Sequence, residues 1–159
     1  MNINERLEKR PRYGEYVIPY TVIVIDGVPD FRVTDMDRWL ECIERKLCAI
    51  CGERLDYWVW YLGGPSCVEG SVYFDPAMHE ECCFYSASAC PFLLGERGYS
   101  KRPIIVPHGV IETHAMERGA ALYATKRRRD QVTITTLDTG QSAILVGPAI
   151  EQIQVWPKE

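Results

Sequence analysis

Two short clusters of cysteine and histidine have the spacing of metal ligands. Cys48 and Cys51 enclose Ala49 and Ile50 and are followed by Gly52, while His79 and Cys82 stand three residues apart with a further thiol at Cys83. A Cys-x-x-Cys-Gly run makes a tight turn that aims two sulfurs at one point, and its glycine accepts the backbone angle needed after the second ligand. On a helix, residues i and i+3 share a face with Cβ atoms about 5–6 Å apart, so an imidazole nitrogen and a thiolate can converge on a metal at roughly 2.0 and 2.3 Å. Cys48, Cys51, His79 and Cys82 thus compose a tetrahedral set of three sulfurs and one nitrogen, and one structural Zn2+ is the expected cofactor. Cys83, at i+4 from His79, is the alternative to Cys82. Cys42, Cys67 and Cys90 lack a partner at ligand spacing and are read as packing thiols.

Other chemistries fit these residues less well. A redox dithiol opens a helix after a strand, whereas Cys48 and Cys51 follow a helical pattern and precede Gly52. A zinc-dependent nucleobase deaminase needs His-x-Glu followed by a Pro-Cys-x-x-Cys run; His79 and Glu81 match only the first part. A nuclease built on a similar finger needs a histidine in or beside its hairpin to activate water, and residues 55–74 contain none. His108 and His114 fall outside the finger and are read as loop or surface residues. The densest basic run, Lys126, Arg127, Arg128 and Arg129, sits between two strand-like stretches and is read as a solvated turn, with contact to nucleic acid or another partner as its functional alternative. The strand-like alternation of Tyr57, Trp58, Val59, Trp60 and Tyr61 places one face in a core.

The elements that must position the ligands are read from periodicity and turn chemistry. Residues 1–15 show no sustained period and are expected to form a flexible arm, with residues 16–159 a single α+β domain. A strand over 20–25, the turn formers Asp26 and Gly27, and a partner strand over 31–33 predict a hairpin. Thr34 is the expected cap of a helix whose apolar stripe is Met36, Trp39, Leu40, Ile43 and Leu47. Aromatic and β-branched residues over 55–74, interrupted by Gly63, Gly64 and Pro65, predict a second hairpin. Asp75 and Pro76 then make a helix start, and Pro91 a stop near Ala89. Strand-like runs over 104–106, 120–125, 132–137, 143–146 and 150–156 predict a small antiparallel sheet in a β-rich C-terminal part at about 101–157.

The order of knuckle, hairpin and ligand-bearing helix resembles the treble-clef zinc finger over residues 48 to about 90. The wider string Cys48-x-x-Cys51-Gly52, His79-x-x-Cys82 and Ala89-Cys90-Pro91-Phe92 resembles an uncharacterised family of small proteins from actinobacteria and bacteriophages. The similar region runs from about Tyr20 through the finger, and more loosely to 148–156. In that family a small residue commonly follows the second helical ligand, where this chain has Cys83, which favours Cys82 as the ligand. The resemblance implies a phage or phage-like origin and carries no known activity.

Composition sets the remaining bounds. The 159 residues, 47% hydrophobic and 25% charged, suffice for one core. Seven cysteines, an odd number with two adjacent, fit reduced thiols around a metal better than a disulfide scaffold. No apolar run is long enough to span a bilayer and the N-terminus is polar, so a soluble, cytoplasmic protein with no membrane partner is expected. A net charge of −4 argues against nonspecific coating of nucleic acid, although the acidic excess lies in residues 1–100 and the last part is slightly basic. The expected function is a zinc-stabilised, non-enzymatic binding protein, phage-encoded and acting on a host or viral protein. A nucleic-acid-binding or nuclease-related finger and a virion component are the alternatives.

Overall fold

In the computed structural model, which describes residues 4–89, 104–106, 109–111 and 121–156, the first departure from expectation comes at the N-terminus. Residues 4–15 do not form a free arm. The Asn4 side chain accepts the Leu7 amide and caps a single-turn helix, α1 (Glu5–Glu8), whose Leu7 is fully buried. The chain then turns at Gly14, with φ of 63°, so that β1 (Arg12–Tyr13) pairs antiparallel with β2 (Tyr16–Val17). One turn of helix and two-residue strands are too short to leave a period in the sequence, and a single Leu carries the anchorage.

The first predicted hairpin is present. Strands β3 (Val22–Ile25) and β4 (Val28–Thr34) are joined by Asp26 and Gly27, both at positive φ, 52° and 78°, as a two-residue turn matched to strand twist requires. Helix α2 (Met36–Arg45) follows, but its cap is Asp35 rather than Thr34: the carboxylate accepts the amides of Asp37 and Arg38. Of the expected five-residue stripe only Trp39 is buried, joined by Cys42 from outside it, while Met36 and Leu40 are 54% and 41% exposed and Leu47 lies beyond the helix. Helix α2 is therefore held along an i, i+3 line, where the Trp39 indole N–H donates to the Phe74 carbonyl at 2.7 Å.

Residues 55–74 do not form the second predicted hairpin. Strand β5 (Trp58–Gly63) is followed by helix α3 (Pro65–Gly70), with Pro65 at its first position, and by β6 (Val72–Tyr73). The two strands belong to different sheets, ordered β12-β9-β5 and β10-β11-β6. Asp75 and Pro76 do not start a helix. Residues 76–79 run extended, Met78 exchanging two backbone hydrogen bonds of 2.9 Å with Trp60, and helix α4 (Glu80–Ala89) begins after His79. Pairing with β5 satisfies the Met78 amide, which in a first helical turn would have no intrahelical acceptor.

Strands β7 (Ile104–Val106) and β8 (Gly109–Ile111) pair with each other, β8 being unforeseen in the sequence. The remaining strands are β9 (Leu122–Arg128), β10 (Val132–Thr136), β11 (Ser142–Val146) and β12 (Glu151–Trp156). They do not make one sheet: β9 and β12 complete the sheet of β5, and β10 and β11 complete that of β6. The protein is thus mixed α+β with small antiparallel sheets in which the C-terminal strands share ladders with strands lying between the two ligand pairs. No helix among the described residues is long and apolar enough to cross a membrane.

Candidate metal centre

The Cys48–Cys51 turn is held by its own backbone. The Cys48 amide donates to the Glu53 carbonyl at 2.8 Å and the Gly52 amide to the Cys48 carbonyl at 2.9 Å. The amides of Ile50 and Glu53 point at the Cys48 and Cys51 sulfurs, each at 3.4 Å, which fixes both thiols toward the inside of the turn. Gly52 has φ of 76°, and a Cβ there would meet the Tyr20 ring at 2.6 Å, so backbone angle and packing both require glycine. The Ala49 amide donates to the Ala77 carbonyl at 3.0 Å, drawing the extended segment before His79 alongside the turn.

That segment and α4 deliver the second pair. The ligand atoms of Cys48, Cys51, His79 and Cys82 all lie within 4.8 Å of one another, and all four residues are buried. A tetrahedral ion with bonds of about 2.3 Å to sulfur and 2.0 Å to nitrogen has donor separations of roughly 3.3–3.8 Å, so small side-chain adjustments suffice to close the set. The Cys51 sulfur already lies 3.3 Å from His79 Nδ1. His79 Nε2 is 2.9 Å from the Arg54 carbonyl, a bond that needs the proton on Nε2 and leaves the Nδ1 lone pair for a metal. The donor set is compatible with one metal ion. Cys82 is the sulfur that joins it; Cys83 is buried outside the cluster, and burial pushes its thiol up.

Close contact within the cluster perturbs the protonation of Cys48, His79 and Cys82. Burial works against a Cys48 thiolate, but hydrogen bonds from the Cys51 and Cys82 thiols and from the backbone amides of Cys51 and His79 outweigh it and hold Cys48 well below the ordinary thiol range. Cys82 is raised, by its hydrogen bonds to Cys48 and Cys51 and then by burial. His79 is opposed by burial yet raised overall by Cys51, as hydrogen-bond partner and as charge, and by the Arg54 carbonyl. Protons here stand in for a shared positive charge that a divalent ion would supply. By contrast Cys42, buried and only 3.9 Å from the Cys48 carbonyl, is pushed up to about 12 chiefly by burial, and burial also raises Cys67. Both stand outside the donor set as their spacing suggested, whereas Cys90 lies outside the described residues, as do His108 and His114.

Lys126 to Arg129 are not the solvated turn of the sequence reading, since β9 extends through Arg128. Arg127 is 1% exposed, so it is unavailable to a phosphate. Its guanidinium donates to Thr125 Oγ1, Ser71 Oγ, the Gly147 carbonyl and Tyr73 Oη, at 3.0, 3.2, 2.5 and 3.1 Å. Arg129 donates to the Leu55 carbonyl at 3.1 Å. Lys126 and Arg128 point to the opposite face, each 5.9 Å from the Trp58 ring centroid, because β9 pairs with β5. Nothing in the sequence marks the N-terminal residues that reach this region: Arg6 bridges to Glu81 at 3.0 Å, and Lys9 to Glu53 at 3.9 Å. Opposite charges far apart in sequence carry no spacing signal. Comparison of the chain with models of known families, with curated proteins and with solved structures finds no match.

Proposed function

We propose that Cys48, Cys51, His79 and Cys82 hold one structural Zn2+, and that the chain is a non-enzymatic binding protein whose fold depends on it. The observation that carries this reading is the burial of a complete four-donor set: three thiolates and an imidazole fill a tetrahedral zinc and leave no position for a water or substrate. Bound there, zinc contributes folding free energy and orients its ligands without taking part in a reaction. A knuckle followed by a helix with one ligand, His79, immediately before it and the other, Cys82, in its first turn supports a treble-clef relationship, with α3 and a change of sheet in place of the hairpin. Elemental analysis of the reduced, folded protein is expected to give one zinc per chain. A folded sample free of metal would overturn the reading.

The net charge of −4 supports a protein as the partner, and the motif resemblance supports a host or viral protein met in the host cytoplasm. A second reading has one specific observation in its favour. Pairing of β5 with β9 gathers Trp58, the half-exposed Tyr57 and the cations of Lys126 and Arg128 on one surface, the mixture that grips single-stranded nucleic acid. Titration with single-stranded DNA at two salt concentrations separates the two. Tight, steeply salt-dependent binding that vanishes in the Lys126→Ser/Arg128→Ser variant would favour nucleic acid, and no binding at low salt favours protein.

A further inference from the structure

A zinc held by three thiolates and one neutral imidazole leaves a net charge of −1 in a buried place; buried charge is costly unless compensated, and the ion is retained only if water and competing ligands are kept from it. Both needs are met by the stretch of chain that precedes the knuckle. Leu7 is fully buried in the same core cluster as Cys48, Cys51 and Cys82. Arg6 grips Glu81, the neighbour of Cys82, and Lys9 reaches Glu53, whose amide points at the Cys51 sulfur. The Arg10 guanidinium stacks 5.5 Å above the Tyr20 ring, and that ring lies against Gly52. One short segment therefore reaches the residues flanking both halves of the donor set, Glu53 beside the knuckle through Lys9, Gly52 by way of the Tyr20 ring under Arg10, and Glu81 on the helix through Arg6.

We infer that residues 4–18 are a clasp of the metal centre, Leu7 sealing it from water and Arg6 with Arg10 supplying its counter-charge. This rests on the zinc reading above. The ion pairs themselves are too exposed to stabilise the fold much, so the clasp acts on retention of the ion rather than on bulk stability. Groups that support metal ligands from outside typically change metal affinity roughly 10–100-fold when removed, and an effect of that size is expected here.

The test uses the zinc-loaded full chain and follows transfer of zinc to a chromophoric chelator. Leu7→Ala breaks the seal, Arg6→Gln with Arg10→Gln removes the charge, and Arg6→Lys with Arg10→Lys keeps it. Ile144→Ala, in a buried residue of β11 outside the ligand-bearing core cluster, controls for general loss of stability. The Leu7 and double-Gln variants are expected to release zinc at least about tenfold faster, the double-Lys variant at close to the parent rate, and Ile144→Ala to melt earlier without a comparable gain in release. Should Leu7→Ala not fold, the arginine pairs decide. A double-Lys variant as leaky as the double-Gln would overturn the counter-charge, and unchanged release from all variants, each carrying one zinc, would overturn the clasp alone. A chain isolated without zinc overturns the clasp and the zinc reading together.

Discussion

Arg127 shows how far a residue's role depends on what lies across the sheet from it. Within Lys-Arg-Arg-Arg it is one of four similar cations, yet alternation along β9 sends it inward while Lys126 and Arg128 point outward. Inside, it stacks over the Tyr73 ring at 5.1 Å and ties β9 to Ser71 and to Gly147 beyond β11. Arg127→Met should destabilise the fold by about 3 kcal/mol, because several buried acceptors lose their donor. Denaturant unfolding measures this, and a loss well under 1 kcal/mol would mean that the buried network relaxes without cost. Among the thiols, Cys48→Ser or Cys82→Ser should abolish zinc binding and leave an unfolded or insoluble chain, whereas Cys42→Ser should retain one zinc. Equal damage at all three positions would mean that the sulfurs act by packing alone.

At the scale of elements, local signals located the first hairpin but misplaced helix starts and the turns expected at 63–65 and 126–129. Asp26–Gly27 closes its hairpin as expected, since positive φ at two successive residues admits few alternatives. Asp75–Pro76 reads as a helix start and Gly64–Pro65 as a hairpin loop, yet a helix forms directly at Pro65 and none at Pro76. The difference is that the residues after Pro76 find a strand to pair with, through Met78 and Trp60, and those after Pro65 do not. The knuckle turn makes a sharper prediction. Gly52→Ala combines left-handed strain of about 1–2 kcal/mol with a clash against the Tyr20 ring, and should weaken zinc binding in a chelator competition. The change should leave the far strands β10 and β11 intact by hydrogen exchange. Parent-like zinc affinity in this variant would show that the turn tolerates a side chain.

Over the whole molecule, the knuckle, β5 and α4 share one core cluster with strands β9 and β12, so loss of the metal should not be confined to the finger. Removing zinc with a chelator should lower the thermal midpoint and broaden the transition of the entire chain, because zinc-site binding energies of about 10–16 kcal/mol rival the stability of a domain. Circular dichroism with and without chelator reads this directly, and an unchanged transition would detach the metal from the fold. The four-residue cluster was legible in the amino-acid sequence because each pair is local: Cys48 with Cys51 in a turn, and Cys82 three residues after His79, in the first turn of the helix that His79 precedes. The preference for Cys82 over Cys83 rested on a resemblance until packing placed one sulfur in the cluster and the other outside it. The folded N-terminus, the division of residues 55–74 between two sheets and the burial of Arg127 were decided only by tertiary structure. Each depends on a partner distant in the chain, the core around Cys82 for Leu7 and β9 for β5, and pairing over such distances leaves no period, cap or motif in the residues that will meet.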